Sequence, residues 1–426
     1  MDIFKDFNVT RSKQTLRNGV EVILFHRSGA PITTTAVLRS GSRYDLDSMP
    51  GLSHFLEHMI TNGSKDFPSK DLLAEHIESV GGSYGAMTGQ DPMWVTTEIS
   101  DKNDYGRVVD IFDATLCNPL MDKKVFENEK HVLIKEIKKA DSSPARVLNK
   151  VSRKLFFSGT PFEHDVLGDE NSILGLPYEG VMAEYKKLFD KSRITFFTSG
   201  DILIDELASH LNKLDLSDGE DMDRQGDKFE IADKEKIFSN FFDAPQTHIY
   251  FGVQAPKSFT KESIHLNSLG NILAGGRNAR LTKRLRYDKG LIYSVNFGGN
   301  GGLNFGSWGI FTDTTDDKVQ QVVDEIILEI KDILVNGIKK SELEFVRNRR
   351  IKSLKRTMQT SNDWVNFHAV PYVFSTELYD INTFVKDVAE TTTEDIKNVI
   401  KQYLIPEKWK LAMCGRIEEK TVILKW

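Results

Sequence analysis

The segment GLSHFLEHMITNG, residues 51–63, sets His54, Glu57 and His58 at positions i, i+3 and i+4. On a helix that spacing puts all three on one face, where two imidazoles can converge on a single cation. Imidazole nitrogen suits Zn²⁺, and the interposed glutamate can take a proton from water at the metal. The pattern is H-x-x-E-H, the reverse of H-E-x-x-H. With 10 histidines in 426 residues, chance supplies about 0.02 such motifs per chain, so accident explains it poorly. A structural zinc wants four closed protein ligands. Cys117 and Cys414 are the chain's two cysteines, so an open, catalytic arrangement is expected instead.

A third ligand is sought among carboxylates that stand where a solvated group does not belong. In DKKVFENEKHVLIKEIKKA, residues 122–140, an apolar stripe of Val125, Phe126, Val132, Leu133 and Ile137 predicts an amphipathic helix. Glu129 and Glu136 fall on that face, seven residues apart. A buried unpaired carboxylate is costly, so the pair calls for a metal or a histidine N–H. Glutamates at the stripe's edge, paired with lysines, are the plainer explanation for either residue alone. The upstream H-x-x-E-H tips the balance toward ligation.

Together these residues resemble the pitrilysin or insulinase family of zinc metallopeptidases, family M16, in which H-x-x-E-H is followed after about 76 residues by a glutamate ligand. The resemblance implies that His54, His58 and Glu136 hold one Zn²⁺, that Glu57 is the catalytic base and that Glu129 orients a ligand histidine. In GGRNARLTKRLRYDKGLIYSVN, residues 275–296, Arg286 and Tyr293 match the family's second-domain arginine and tyrosine. Their implied roles are to hold the substrate backbone and to hydrogen bond near the oxyanion. The segment GGSYGAMTGQDPMWVTTEI, residues 81–99, departs from the family's usual Asn-Ala pair with Gly85-Ala86. An edge-strand role along Gly85, Ala86 and Met87 survives, because pairing with an extended peptide uses backbone hydrogen bonds. Pro92 fits an edge or a strand end.

The elements that must position these residues recur along the chain. TTTAVLRSG (33–41) parallels HIYFGVQAP (248–256), Val108 and Val109 parallel Val322 and Val323, and ITFFTSGDI (194–202) parallels KLAMCGRI (410–417). The offsets, about 214 to 215, predict a duplicated domain of mixed α and β composition. An acidic, apolar-poor stretch separates the copies. The expected organisation is 1–214 as a catalytic domain, 215–228 as a linker and 229–426 as a metal-free domain that handles substrate. The second copy places Ser268, Asn271 and Ile272 opposite the triad, and Val346 and Ser353 opposite Glu129 and Glu136. The resemblance sharpens the class to α+β, with two homologous α/β roll domains.

Composition narrows the function. With 56 basic and 62 acidic residues and a net charge of −6, the chain is not built to coat nucleic acid or an anionic membrane. The basic run from Arg347 to Arg356 is spaced by Ile351, Leu354 and Met358, which predicts the solvated face of a helix. Glycines between Phe297 and Gly306 lack the GK[ST] of a phosphate loop and predict a turn between strands. The remaining histidines show no paired ligand spacing and are expected in structural or surface roles. No apolar run reaches a membrane span, and the first residues show neither signal nor transit character, so a cytoplasmic location is expected. The resemblance implies a zinc endopeptidase acting on peptides or unfolded segments inside a chamber closed by a homodimer or by a second M16-like chain. Arg286 and Tyr293 would then serve the partner's zinc. The rivals are a non-catalytic M16-like subunit and an assembly protein like the peptidase-derived core subunits of respiratory complexes; the complete ligand set disfavours both.

Overall fold

The computed structural model describes residues 2–219, 235–374 and 378–426. The linker expected at 215–228 therefore lies outside the described residues from position 220 onward. The first sheet contains β1 (Thr10–Thr15), β2 (Glu21–His26), β3 (Ile32–Leu38), β4 (Ser83–Thr88), β5 (Met93–Ile99) and β6 (Ile194–Gly200), in the order β1-β2-β6-β3-β5-β4. Only β2 and β6 are parallel neighbours. Strand β3, ITTTAVL, is buried along its whole length, a setting that β-branched side chains fit well. Its threonine hydroxyls need partners there. Thr34 bonds Tyr105 Oη at 2.8 Å and Thr198 Oγ1 at 3.1 Å, and Thr35 bonds Thr96 at 3.0 Å.

The second sheet contains β7 (Ile237–Phe241), β8 (Thr247–Gln254), β9 (Val295–Gly298), β10 (Ser307–Thr314) and β11 (Lys410–Gly415), in the order β7-β11-β8-β10-β9. This repeats β2-β6-β3-β5-β4 strand for strand, with its parallel pair, β7 and β11, at the same place. Chance gives no reason for one parallel pair to recur at that position. The sequence offset is thus a structural duplication, and the class is α+β.

By packing, one compact unit takes Met1–Ile137, Asp165–Arg224 and Lys355–Asn382, and the other takes Lys138–His164, Gln225–Leu354 and Thr383–Trp426. A boundary near 215–228 therefore divides the sheets but not the units, because each unit includes a helix from the opposite half of the sequence. The helix Ser361–Phe374 lies on β3 and β6, with Trp364, Val365, His368 and Ala369 completely buried. The helix Pro144–Phe157 lies on β7, β8 and β11. There Leu148, Val151, Phe156 and Phe157 join Tyr250, Ala412 and Cys414 in one apolar cluster.

His368 shows how specific this packing is. Its ring stacks on Phe25 at 4.1 Å between centroids. Nδ1–H donates to the Trp364 carbonyl at 2.8 Å, and Nε2 accepts from the Ile381 N–H at 3.3 Å. The bond accepted at Nε2 requires the neutral ring, and burial lowers its pKa to about 4 against the pull of the Trp364 carbonyl and Asp380. The unfolded chain, with an ordinary value near 6.5, binds this proton first, so stability is full above that pH and is lost as pH falls toward 4. Urea unfolding at pH 7 and pH 5 is expected to show a loss of about 2 kcal/mol from this residue. His368→Gln, which can keep both hydrogen bonds without titrating, should lack that increment.

Candidate metal centre

The H-x-x-E-H segment is the helix Leu52–Ile60. Gly51 precedes it at φ 87°, where a Cβ would lie 2.8 Å from the Leu167 carbonyl oxygen, so only glycine fits this turn. Asp45 accepts from the N–H groups of Gly51 and Ser53, each at 2.8 Å, and from Ser53 Oγ at 2.6 Å. A carboxylate so placed satisfies orphan donors at the helix start and complements its dipole. Burial nonetheless pushes the Asp45 carboxyl up to about 7, with these bonds opposing. Leu52, Phe55, Leu56, Met59 and Ile60 are completely buried. Phe55 meets Phe126 of the helix Lys123–Asp141 edge-on at 4.7 Å, which ties together the two helices that carry the site.

On the opposite face, His54 Nε2 stands 3.8 Å and His58 Nε2 3.5 Å from the same Glu136 oxygen. Among the described residues, these three form the one group whose ligand atoms all lie within 4.8 Å of one another. Tetrahedral zinc with bonds of about 2.0–2.1 Å separates its ligand atoms by about 3.4 Å, so this donor set fits that ion. His58 Nδ1–H donates to Glu129 Oε2 at 3.0 Å, which fixes the tautomer and leaves the Nε2 lone pair facing the group. Burial alone would raise Glu129, but hydrogen bonds from His58 and Asn62 outweigh it and hold the carboxyl below its ordinary value. Asn62 Nδ2 also donates to the His58 carbonyl at 2.8 Å. Glu57 Oε2 accepts from Thr88 Oγ1 on β4 at 2.6 Å. Burial raises the Glu57 carboxyl, against the Thr88 hydroxyl and the charge of His58.

The structure brings together His54, Glu57, His58, Glu129 and Glu136, but it corrects the reasoning that led to the two glutamates on the second helix. The buried stripe there is Phe126, Lys130, Leu133 and Ile137. Val132 is 44% exposed, and Glu129 and Glu136 share its flank beside the core stripe. The apolar residues from Val125 to Ile137 cover a broad arc of the helix, so the sequence pattern did not separate the core stripe from this flank. Gly85, Ala86 and Met87 lie on β4, the terminal strand of its sheet, and Met87 is 58% exposed. Pro92 directly precedes β5. Arg286 and Tyr293 belong to the second unit. There they are neighbours, the guanidinium 4.7 Å from the tyrosine ring centre. Arg286 sits in the π-helical segment Thr282–Asp288, and Tyr293 is 74% exposed.

Thr88, Asn62 and Asp45 were not foreseen. Asn62 stands four residues after His58, a spacing that could have marked it; Thr88 gives no such signal, because its contact with Glu57 depends on strand register.

A family model described as Insulinase (Peptidase family M16) matches residues 22–170, and one described as Peptidase M16 inactive domain matches residues 176–350. A Bacillus subtilis protein described as an uncharacterized zinc protease is 21% identical over 405 residues, spanning 94% of this chain and 97% of its own. Subunit 1 of the mitochondrial cytochrome b-c1 complex of Caenorhabditis elegans is 22% identical over 424 residues, 95% of this chain and 88% of its own. The crystal structure of a protease from Helicobacter pylori shares the fold with a TM-score of 0.87 at 16% identity, covering 96% of this chain and 99% of that one. With two models of one family matching successive segments of most of its length, the chain belongs to the insulinase family of peptidases, family M16.

Proposed function

We propose that the chain is a zinc-dependent endopeptidase that hydrolyses peptides or unfolded segments of proteins. One observation carries this reading: three donors, His54, His58 and Glu136, converge within 4.8 Å, and Glu57 lies on the same helix face. Zinc bound there supplies a Lewis acid that acidifies water and polarises the scissile carbonyl. Glu129 keeps the His58 ring oriented for ligation. Glu57 takes the proton of the attacking water and returns it to the leaving amine. The Thr88 hydroxyl holds its carboxylate in place. An extended substrate adds to the edge of β4 along Gly85, Ala86 and Met87; a Cβ at Gly85 would meet nothing within 4 Å, so that strand face is open.

In this reading Arg286 and Tyr293 hold the substrate backbone and the developing oxyanion. They do so at the zinc of a partner chain, in a homodimer or with a second M16-like chain. No helix among the described residues is long and apolar enough to cross a membrane, and a cytoplasmic place of action completes the proposal. The similarity to a b-c1 complex subunit favours a second reading, a non-catalytic M16-like subunit that binds substrate or scaffolds a partner; the complete donor set beside Glu57 favours the enzyme.

The purified protein is expected to hold about one zinc per chain by metal analysis, and Glu57→Gln should retain it while losing cleavage of a quenched peptide library by 10²- to 10⁴-fold. Unchanged cleavage by that variant would sink the mechanism. Glu129→Gln should lower zinc affinity by about 10- to 100-fold in chelator competition. A mixture of Glu57→Gln and Arg286→Ala proteins should recover activity that neither has alone; no recovery would count against sharing between chains.

A further inference from the structure

The second unit lacks ligands where the first has them: Ser268, at the place of His54, accepts from Arg350 at 2.6 Å, and a cavity lies beside this contact. The helix Lys261–Ala274 repeats the helix Leu52–Ile60, with Ala274 answering Ile60 at its end. Asn271 and Ile272 therefore stand at the places of Glu57 and His58. The helix Lys340–Thr357 repeats Lys123–Asp141 from its first residue, which sets Val346 at the place of Glu129. These three residues line a cavity of about 430 Å³, a volume in the range of small-ligand sites.

Its chemistry has been inverted. Ile272 and Val346, at 4% and 2% exposure, make an apolar floor. Arg277 and Arg349 line the same cavity, and among the described residues neither has a carboxylate at ion-pair distance. The cavity's one acid, Glu342, is already engaged, accepting from Arg280 Nε at 2.8 Å and Nη2 at 2.7 Å. Gly276 has φ 142°, and a Cβ there would lie 3.0 Å from Arg349 Nη1, so glycine lets the guanidinium lie against the loop. Two uncompensated guanidinium groups above an apolar floor select an anion attached to an apolar group.

We propose that this cavity is a pocket for the free C-terminal carboxylate of a peptide whose last side chain is apolar. The planar carboxylate matches the arginine fork, and the terminal side chain, on the carbon next to it, reaches the floor of Ile272 and Val346. The choice of a peptide as carrier rests on the peptidase reading.

The test is binding rather than turnover, made with full-length Glu57→Gln protein in chelator, so that neither cleavage nor a metal contributes. A fluorescent pentapeptide ending in leucine is titrated as free acid and as amide. The acid should bind at least about tenfold more tightly, and Arg277→Ala and Arg349→Ala should each weaken it by about tenfold, at unchanged unfolding temperature. Arg277 is exposed on a loop, so its variant stays informative if Arg349→Ala folds poorly. Equal binding of acid and amide, no binding, or insensitivity to both variants overturns the proposal. Displacement by inorganic phosphate at lower concentration than by acetate overturns it in favour of a phosphate site. Acid-selective binding without zinc-dependent cleavage would leave the pocket standing while the peptidase reading falls.

Discussion

Three groups whose lone pairs point at one another repel, so holding them within 4.8 Å takes a frame stiffer than the side chains themselves. Here the frame is two helices joined through Phe55 and Phe126 and fixed at one end by Asp45 and a glycine with no room for a side chain. The Glu129 carboxylate removes the last freedom, the rotation and tautomer of His58. Without that bond the ring could turn its N–H toward Glu136 and close the group with an internal hydrogen bond. Burial, capping and tautomer thus serve one end, a donor set preorganised for a cation.

The two copies of the fold show which part of this frame is general. Strand order, the parallel pair and both site helices recur, so the scaffold does not depend on metal chemistry. With Ser268, Ile272 and Ser353 at the places of His54, His58 and Glu136, the second copy keeps no set of groups that a metal would compensate. The duplicated frame is then free to carry charge of the opposite sign. Near the Arg286 segment the second unit instead crosses arginines with acids, Arg280 and Arg284 meeting Glu329 from two sides. That network braces the π-helical turn from behind while Arg286 remains beside the exposed Tyr293.

What could be read in advance follows the range of the interaction. The H-x-x-E-H triad lies within five residues of one helix, so periodicity alone puts it on one face. Glu129 and Glu136 were also legible, but for an imperfect reason: they flank the buried stripe rather than sit on it. The duplication was visible because matching strands and valine pairs keep their offset. Thr88 was invisible, since its partner is fixed by pairing of β4 with β5 and by packing against the site helix. His368 was among the histidines expected in structural or surface roles, but the pattern did not say which; it is a core residue whose two nitrogens both have backbone partners. The helices that join the opposite unit were hidden for a similar reason. An amphipathic pattern says that a face will be covered, not which sheet will cover it.

That exchange has a consequence for synthesis. A chain made from its N-terminus usually folds domain by domain. In this protein the face of β3 and β6 that receives Trp364 and His368 has no cover until Phe374 has been polymerised, when most of the second sheet's strands already exist. The first sheet must wait with an apolar face open. The second, by contrast, finds its helix Pro144–Phe157 made before any of its own strands. Both units therefore close late and in overlapping order, the first only after Phe374 and the second only once β11 has been made.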